Sequence, residues 1–300
     1  MITARIISAY FICLAATVFT AAQALQDEVQ LTTPTAPWTL VVEGKNLQVK
    51  DVKIKSTEES AYFLLYDGAN EINFSFHIEP VDKCRTSDEC RDHVLNVGNP
   101  AWGKFQDLAK GKIGEFSYFE FFRPEVSSLP LRILDMYAQY VDKGYWVDLH
   151  ISKVLYKKED HRLLENLVKA VKFVPRGTTP TSEAEKQRIK VEKVATDWLA
   201  ISDSGRCRET YALLSPLSRD AVTAEMWLTY CRDGQTARGK LKERKLIASS
   251  FIKSLPSKPE LTGAQFRYRS VFEKTGPVVE FVSFVLEPDG RWTVANYRVN

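Results

Sequence analysis

The sequence contains few of the residues and motifs on which common catalytic sites depend. It has only 4 histidines among 300 residues, which leaves little material for acid–base chemistry. Phosphate-binding loops, dinucleotide fingerprints, metalloprotease helices and RNA-binding motifs are all absent from it. The net charge of +3 is too small for bulk attraction to nucleic acid. We therefore expect a protein that is not an enzyme, with no cofactor, no metal and no nucleic-acid partner.

Long apolar runs are also missing, except at the N-terminus. Arg5 precedes an apolar run from Ile6 to Thr20, and the small-x-small sequence Ala22-Gln23-Ala24 follows. This pattern predicts a signal peptide over residues 1–24 and a periplasmic or secreted protein. The alternative is an uncleaved membrane anchor. No later segment is apolar for long enough to cross a bilayer, so no membrane span is expected after cleavage.

Cysteines are few, and their placement supports export. Removing Cys13 with the signal peptide leaves four, an even number that predicts disulfides in an oxidising compartment. The four remaining cysteines form two local pairs: Cys84 with Cys90, and Cys207 with Cys231. For the first pair the alternative is a zinc site that adds His93, but the spacing is not that of a zinc motif and a fourth ligand is missing.

The length of 300 residues favours about two domains. Residues 25–37 are polar and contain two prolines, which predicts a flexible tether. Residues 175–183 concentrate Pro, Gly, Thr and Ser, which predicts a linker. We therefore expect one domain over residues 38–174 and another over residues 184–300.

The first domain has the pattern of an antiparallel α+β sandwich. Apolar residues alternate from Ile72 to Ile78, an earlier strand slips phase at Asp51, and a hairpin and helix (Lys158–Lys172) close the segment. The hairpin and helix read MYAQYVDKGYWVDLHISKVLYKKEDHRLLENLVKAVKFV. Over Trp38–Val174 the pattern resembles the PsbP-like family. That resemblance implies a binding or assembly module without catalytic machinery.

The second domain reads as three helices followed by a four-stranded antiparallel meander, a second α+β fold. Its most specific motifs are Asp197-Trp198-Leu199, Asp203-Ser204-Gly205, Trp227, Gly239, Arg244-Lys245 and the terminal EPDGRWTVANYRV. Over Val191–Val299 these motifs resemble the bacterial domain of unknown function 4019, and by analogy the architecture is similar to a cystatin-like or nuclear-transport-factor-2-like cone. Cys207 and Cys231 depart from the pattern of that family, whose activity is unknown.

The ligand-binding candidates of the second domain are Trp227, Arg244, Arg267 and Trp292. The tryptophans, with Trp198, either line a pocket or belong to the core. Arg244 either pairs with Asp197 or Asp203, or joins a basic patch for an acidic ligand. That patch would consist of Lys240, Lys242, Arg244, Arg267 and Arg269, and its alternative is a solvated strand face.

The first domain offers one weak catalytic grouping. Ser75, with His77 or His150 and Asp148, lies on the polar face of predicted strands and would form a hydrolase-like set. No nucleophile elbow accompanies it, so a solvated or helix-covered polar face is favoured. The sequence thus favours a non-catalytic binding or protein-interaction module for an envelope partner. The alternatives are a small-molecule or lipid pocket in the second domain and a cryptic hydrolase in the first.

Overall fold

The computed structural model describes residues 27–55, 59–126, 129–177, 183–255, 258 and 260–300. The chain divides into an N-terminal unit, Glu28–Gly177, and a C-terminal unit that runs from Thr178 to Asn300. The predicted signal peptide and the middle of the predicted linker lie outside the described residues. Within the described part of the chain, no helix is both long and apolar enough to cross a membrane.

Strands dominate the N-terminal unit. They are β1 (Glu28–Leu31), β2 (Trp38–Glu43), β3 (Leu47–Ile54), β4 (Ala61–Asp67), β5 (Ile72–Pro80), β6 (Gln106–Ile113), β7 (Phe116–Arg123), β8 (Ile133–Asp142), β9 (Tyr145–Lys153) and β10 (Val171–Pro175). Seven of them form an antiparallel sheet in the order β3-β4-β5-β9-β8-β7-β6. β2 pairs with β1 on one side and with β10 on the other, both antiparallel.

Both faces of the seven-stranded sheet are covered, which makes the N-terminal unit a layered α+β structure. Helix α1 (Ser87–Val97) packs on β7 and β8. On the opposite face, Phe173 of β10 stacks on Tyr140 of β8, with ring centroids 4.0 Å apart. Helix α2 (His161–Lys169) contacts β6 and β10. The predicted phase slip at Asp51 corresponds to a break in register between Val49 and Asp51.

Two expectations for this unit were wrong, and one strand was not predicted. The predicted tether contains β1, whose Val29 and Leu31 are fully buried, because these two apolar side chains alternate toward the core. The predicted closing helix ends at Lys169, and the following Val-Lys-Phe-Val run forms β10, as its β-branched and aromatic content favours. Strand β6 was not predicted, since most of its residues are exposed and polar.

The C-terminal unit consists of helices on an antiparallel meander. Its strands β11 (Leu241–Ile252), β12 (Thr262–Phe272), β13 (Gly276–Leu286) and β14 (Trp292–Val299) pair consecutively. Its helices are α3 (Glu183–Asp203), α4 (Cys207–Ala212), α5 (Pro216–Ala221) and α6 (Ala224–Arg238). Three helices were expected and the described residues of this unit contain four. The additional helix, α5, begins at Pro216, since proline suits a first helical position and Ser215 caps it. The predicted α+β class is confirmed.

Candidate functional site

The structure contains both predicted cysteine pairs at disulfide distance. The Cα atoms of Cys84 and Cys90 are 5.0 Å apart, and those of Cys207 and Cys231 are 5.9 Å apart. The first disulfide lies at the start of α1, and the second connects α4 to α6. Since the thiols are consumed, the alternative zinc site with His93 has lost two of its ligands. Among the described residues, no group of three or more His, Cys, Asp or Glu is placed to hold a metal.

Trp227 belongs to the core of the C-terminal unit. Its side chain is buried, and its indole N–H donates to the hydroxyl of Thr210 at 2.9 Å. Trp198 packs beside it, with ring centroids 6.1 Å apart, and donates to the carbonyl of Thr210 at 3.3 Å. Both indoles are thus bonded within the core, which corresponds to the core alternative for these two tryptophans.

Arg244 lies in a buried ion network. Its guanidinium donates to Asp203 at 2.6 and 3.1 Å and to Glu280 at 2.6 Å. Glu280 is completely buried and also accepts from Ser270 and, at 2.7 Å, from Tyr297. Of the two carboxylates expected for Arg244, the structure selects Asp203, while Asp197 pairs with Lys193 on the same helix. Glu280 was not anticipated, because only the strand register brings it here.

Two groups of this network, Arg244 and Tyr297, have raised pKa values. Burial lowers the pKa of Arg244, but its hydrogen bonds with Asp203 and Glu280 outweigh that effect and hold the pKa above its ordinary value. Burial, followed by the charge of Glu280, raises the pKa of Tyr297 well above its ordinary value. Tyr297 therefore stays protonated and donates to Glu280. This network connects α3 to the sheet, because Arg244 is bonded to Asp203 of α3 and to Glu280 of β13. Its role is therefore structural.

The predicted basic patch does not form as one surface. Arg244 is paired in register with Ser270, on the helix-covered face of the sheet. Arg267 and Arg269 alternate with Ser270 along β12 and so lie on the opposite face. The guanidinium of Arg267 lies 5.4 Å from the ring centroid of Phe281. The four ligand-binding candidates are therefore not brought together, and the patch was wrong because strand alternation separates its members.

Trp292 lines an open cleft of about 750 Å³ at one end of the C-terminal unit. Four segments form it: the first half of α3, the end of α4, the start of α5 and the turn between β13 and β14. The connection between α4 and α5 is held against β14, since Val294 donates its amide to Leu213 at 3.1 Å and Ser215 donates to Val294 at 2.7 Å. Gly290, at φ 81°, provides the left-handed position of the turn.

The cleft combines an apolar wall with cations. Its apolar lining residues are Val194, Ala212, Leu213, Leu214, Pro216, Pro288 and Trp292. Both of its carboxylates are engaged, Asp289 with Arg291 at 2.7 Å and Glu287 with the Thr293 hydroxyl at 2.5 Å. Lys190 and Arg219 also line it, and neither has a carboxylate partner among the described residues. They were not found from the sequence, because they belong to separate helices.

The indole nitrogen of Trp292 is the least satisfied polar atom of this cleft. Trp292 is 7% exposed, and its buried Nε1 has no hydrogen-bond partner among the described residues. A buried donor without a partner costs about 1–3 kcal/mol and calls for an explanation. Nε1 has less than 1 Å² of accessible surface, so a bound molecule would reach it only after a small movement of the indole. Of the four ligand-binding candidates, Trp292 is the one that lines this cleft, and it also belongs to the hydrophobic core of the unit.

The polar face of the N-terminal sheet contains a different grouping from the expected one. Ser75 pairs in register with His150, but no hydrogen bond joins their side chains within the described part of the chain. Nε2 of His150 lies 2.9 Å from Asp135, which also accepts from Arg123 at 2.6 Å. Asp148 instead accepts from Gln139 at 2.6 Å. The expected acid of the hydrolase set is therefore bonded elsewhere.

The two aspartates of this face have opposite electrostatic environments. Burial tends to raise the pKa of Asp135, but hydrogen bonds with His150 and Arg123 outweigh it, so that pKa lies below its ordinary value. Burial raises the pKa of Asp148, and the hydrogen bond from Gln139 offsets only part of that effect. Tyr137 stacks on His150, with ring centroids 4.2 Å apart, and restrains the imidazole.

Comparisons with known proteins give a family match for the C-terminal unit alone. A family model described as "Protein of unknown function (DUF4019)" matches residues 194–297. That span contains Arg244 and Trp292 and begins after Lys190. The predicted resemblance to this family is confirmed, over a slightly shorter stretch than expected. No curated protein matches the chain.

The chain is also similar to a solved structure of a PsbP protein. This is the solution structure of cyanobacterial PsbP (CyanoP) from Synechocystis sp. PCC 6803, at 9% identity and a TM-score of 0.32. The likeness covers 48% of this chain and 92% of that one. A likeness of this strength carries no conclusion about function.

Proposed function

We propose that this chain is an exported, non-catalytic binding protein that holds a small ligand in the cleft beside Trp292. The cleft volume of about 750 Å³ lies in the ordinary range of ligand pockets. The unpartnered indole nitrogen of Trp292, a residue that lines the cleft, is the observation that carries the proposal, because a ligand acceptor would satisfy it after a small movement of the indole. The exposed side chains of Leu213 and Leu217 extend the apolar surface at this end of the unit.

Two observations support the non-catalytic part of the proposal. Asp148, the expected acid of the hydrolase set, bonds Gln139, and the described part of the chain has no hydrogen bond between Ser75 and His150. The Arg244 network has all its charges paired within the protein, so it offers no free group to a substrate. Export is supported by the N-terminal sequence and by the two disulfides, which suit an oxidising compartment.

The cleft is tested by nuclear magnetic resonance of the full mature chain labelled with ¹⁵N. Trp292→Phe identifies the indole cross-peak of Trp292, and titration with acetanilide supplies an apolar ring with a carbonyl acceptor. We expect the Trp292 cross-peak to move more with acetanilide than with N-ethylaniline, which lacks the carbonyl. The cross-peak of Trp227, whose N–H is bonded to Thr210, serves as the internal control. A Trp292 cross-peak that neither compound moves contradicts the proposal.

A further inference from the structure

The distribution of charge in the cleft narrows the class of ligand. Lys190 and Arg219 line the cleft without a carboxylate partner among the described residues, whereas both lining carboxylates are engaged within the protein. Arg291 lines the cleft as well, so the lining carries three cations and two carboxylates, a net charge of +1. Glu287 keeps its negative charge, because the Thr293 hydroxyl that it accepts from is neutral. The two unpaired cations, Lys190 and Arg219, have spare donors and offer charge-assisted hydrogen bonds to an anionic group.

The position of the cations relative to the apolar wall adds a second constraint. Lys190 and Val194 are four residues apart on α3, so they lie on the same face of the helix. Arg219 follows Pro216 by three residues on α5 and shares a face with it in the same way. Each cation is thus the neighbour of an apolar lining residue. This arrangement suits one molecule that carries both a charged end and an apolar body.

A second cleft, in the N-terminal unit, can be compared with the first for its balance of charged lining residues. That cleft, of about 440 Å³, is lined by Trp38, whose indole nitrogen is also buried without a described partner. Two of its lysines are already paired, Lys169 with Glu165 and Lys172 with Glu43. Its other charged lining residues are Lys143, Glu115 and Asp142, so its carboxylates outnumber its unpaired lysine among the described residues. In the C-terminal cleft the balance is reversed, since Lys190 and Arg219 outnumber Glu287.

We infer that the cleft beside Trp292 binds an amphiphilic anion, a molecule with a carboxylate or phosphate head and an apolar body. This inference rests on the proposed function and adds the ligand class to it. The head group lies between Lys190 and Arg219 and the apolar body on Val194, Leu213 and Leu214. The side chain of Trp292 lines the same cleft, so its indole cross-peak reports binding there.

The test compares three probes that share a ten-carbon chain: decanoate, decyl phosphate and uncharged decanol. Each is titrated below its micellar concentration into the full mature chain, and the dissociation constant is read from the Trp292 indole cross-peak. We expect either or both anions to bind about tenfold more tightly than decanol at low salt, as two charge-assisted contacts would produce. The ratio of decanoate to decyl phosphate shows which head group is preferred.

Matched variants test whether the two cations cause the preference for anionic probes. Lys190→Gln and Arg219→Gln together are expected to reduce the preference for the anions to about twofold or less while decanol binding stays the same. Lys193→Gln, on an exposed part of α3 and paired with Asp197, is the control and should change neither. Equal binding of all three probes to the unaltered chain would overturn the inference of an anionic ligand but not the proposed binding cleft. If no probe moves the Trp292 cross-peak, the anionic ligand and the binding cleft are both overturned.

Discussion

Replacement of Arg244 by methionine should strongly destabilise the C-terminal unit. Arg244 is the cation between Asp203 and Glu280, and Glu280 is 0% exposed. Methionine keeps the apolar stem but leaves a buried carboxylate with only the hydroxyls of Ser270 and Tyr297 as donors. Removal of one partner from a buried ion pair costs about 3–5 kcal/mol. We expect a loss of this size in the free energy of unfolding.

Native-state hydrogen exchange measures this loss within the full chain. Amides of β12 and β13 report the opening free energy of the C-terminal unit, and amides of β5 and β9 in the N-terminal unit are the internal reference. Lys193→Met is the matched control, because that lysine is exposed and its pair with Asp197 lies within one helix. Pairs of that kind contribute about 0.3–0.5 kcal/mol. The control should therefore change little.

A second substitution tests the cause. Glu280→Gln removes the buried charge while an amide oxygen still accepts from Tyr297, so Arg244→Met combined with Glu280→Gln should be more stable than Arg244→Met alone. This outcome is a favourable coupling between neighbouring substitutions. A single-variant loss below about 1 kcal/mol, or a double variant as unstable as the sum of its parts, would refute the account of this network as a buried charge pair.

Three further perturbations have an expected direction of change in stability. The pKa of Asp135 is lowered in the folded state, so its contribution to stability is present above the unfolded value of about 3.9 and is lost as pH falls through the folded value. Asp135→Asn should therefore destabilise the N-terminal unit at pH 7 and much less at pH 2. The pKa of Asp148 is raised in the folded state, so its charged form destabilises the fold as pH rises. The stability of Asp148→Asn relative to the unaltered protein should therefore rise between pH 3 and pH 7. Hydrogen exchange of β9 amides, measured between pH 2 and pH 7, checks both predictions, and variants whose stability follows that of the unaltered protein at every pH would contradict them. Replacement of Cys207 and Cys231 by alanine opens a link of sequence separation 24 and should cost about 3 kcal/mol in urea unfolding, and a cost below about 1 kcal/mol contradicts that estimate.

The fold was predictable where one face of an element is apolar and the other is polar. Alternation along Ile72–Ile78 and the Pro288-Asp289-Gly290 turn indicated strands that the structure contains. Prediction failed where that contrast is missing. Strand β6 is polar and exposed on most positions, and the four-residue β1 is too short to show a period.

The candidate site was predictable only in part, because its members come from separate elements. Trp292 was proposed as one of three tryptophans that would line a pocket or belong to the core, and Asp203 was one of two partners proposed for Arg244. Lys190 and Arg219 carry no local signal, since exposed cations on helices are common. Their meaning arises from the tertiary fold, which places α3, α5 and the β13–β14 turn around one cleft.

The most direct test of the central claim is the response of the six tryptophan indole cross-peaks to decanoate. The account predicts a saturable shift of the Trp292 cross-peak, which is identified by its absence in Trp292→Phe, with Trp198 and Trp227 unchanged because their indoles are bonded within the core. Decanoate binding that moves Trp38 instead, or that is unaffected by Trp292→Phe, would contradict the claim that the cleft beside Trp292 is the binding site.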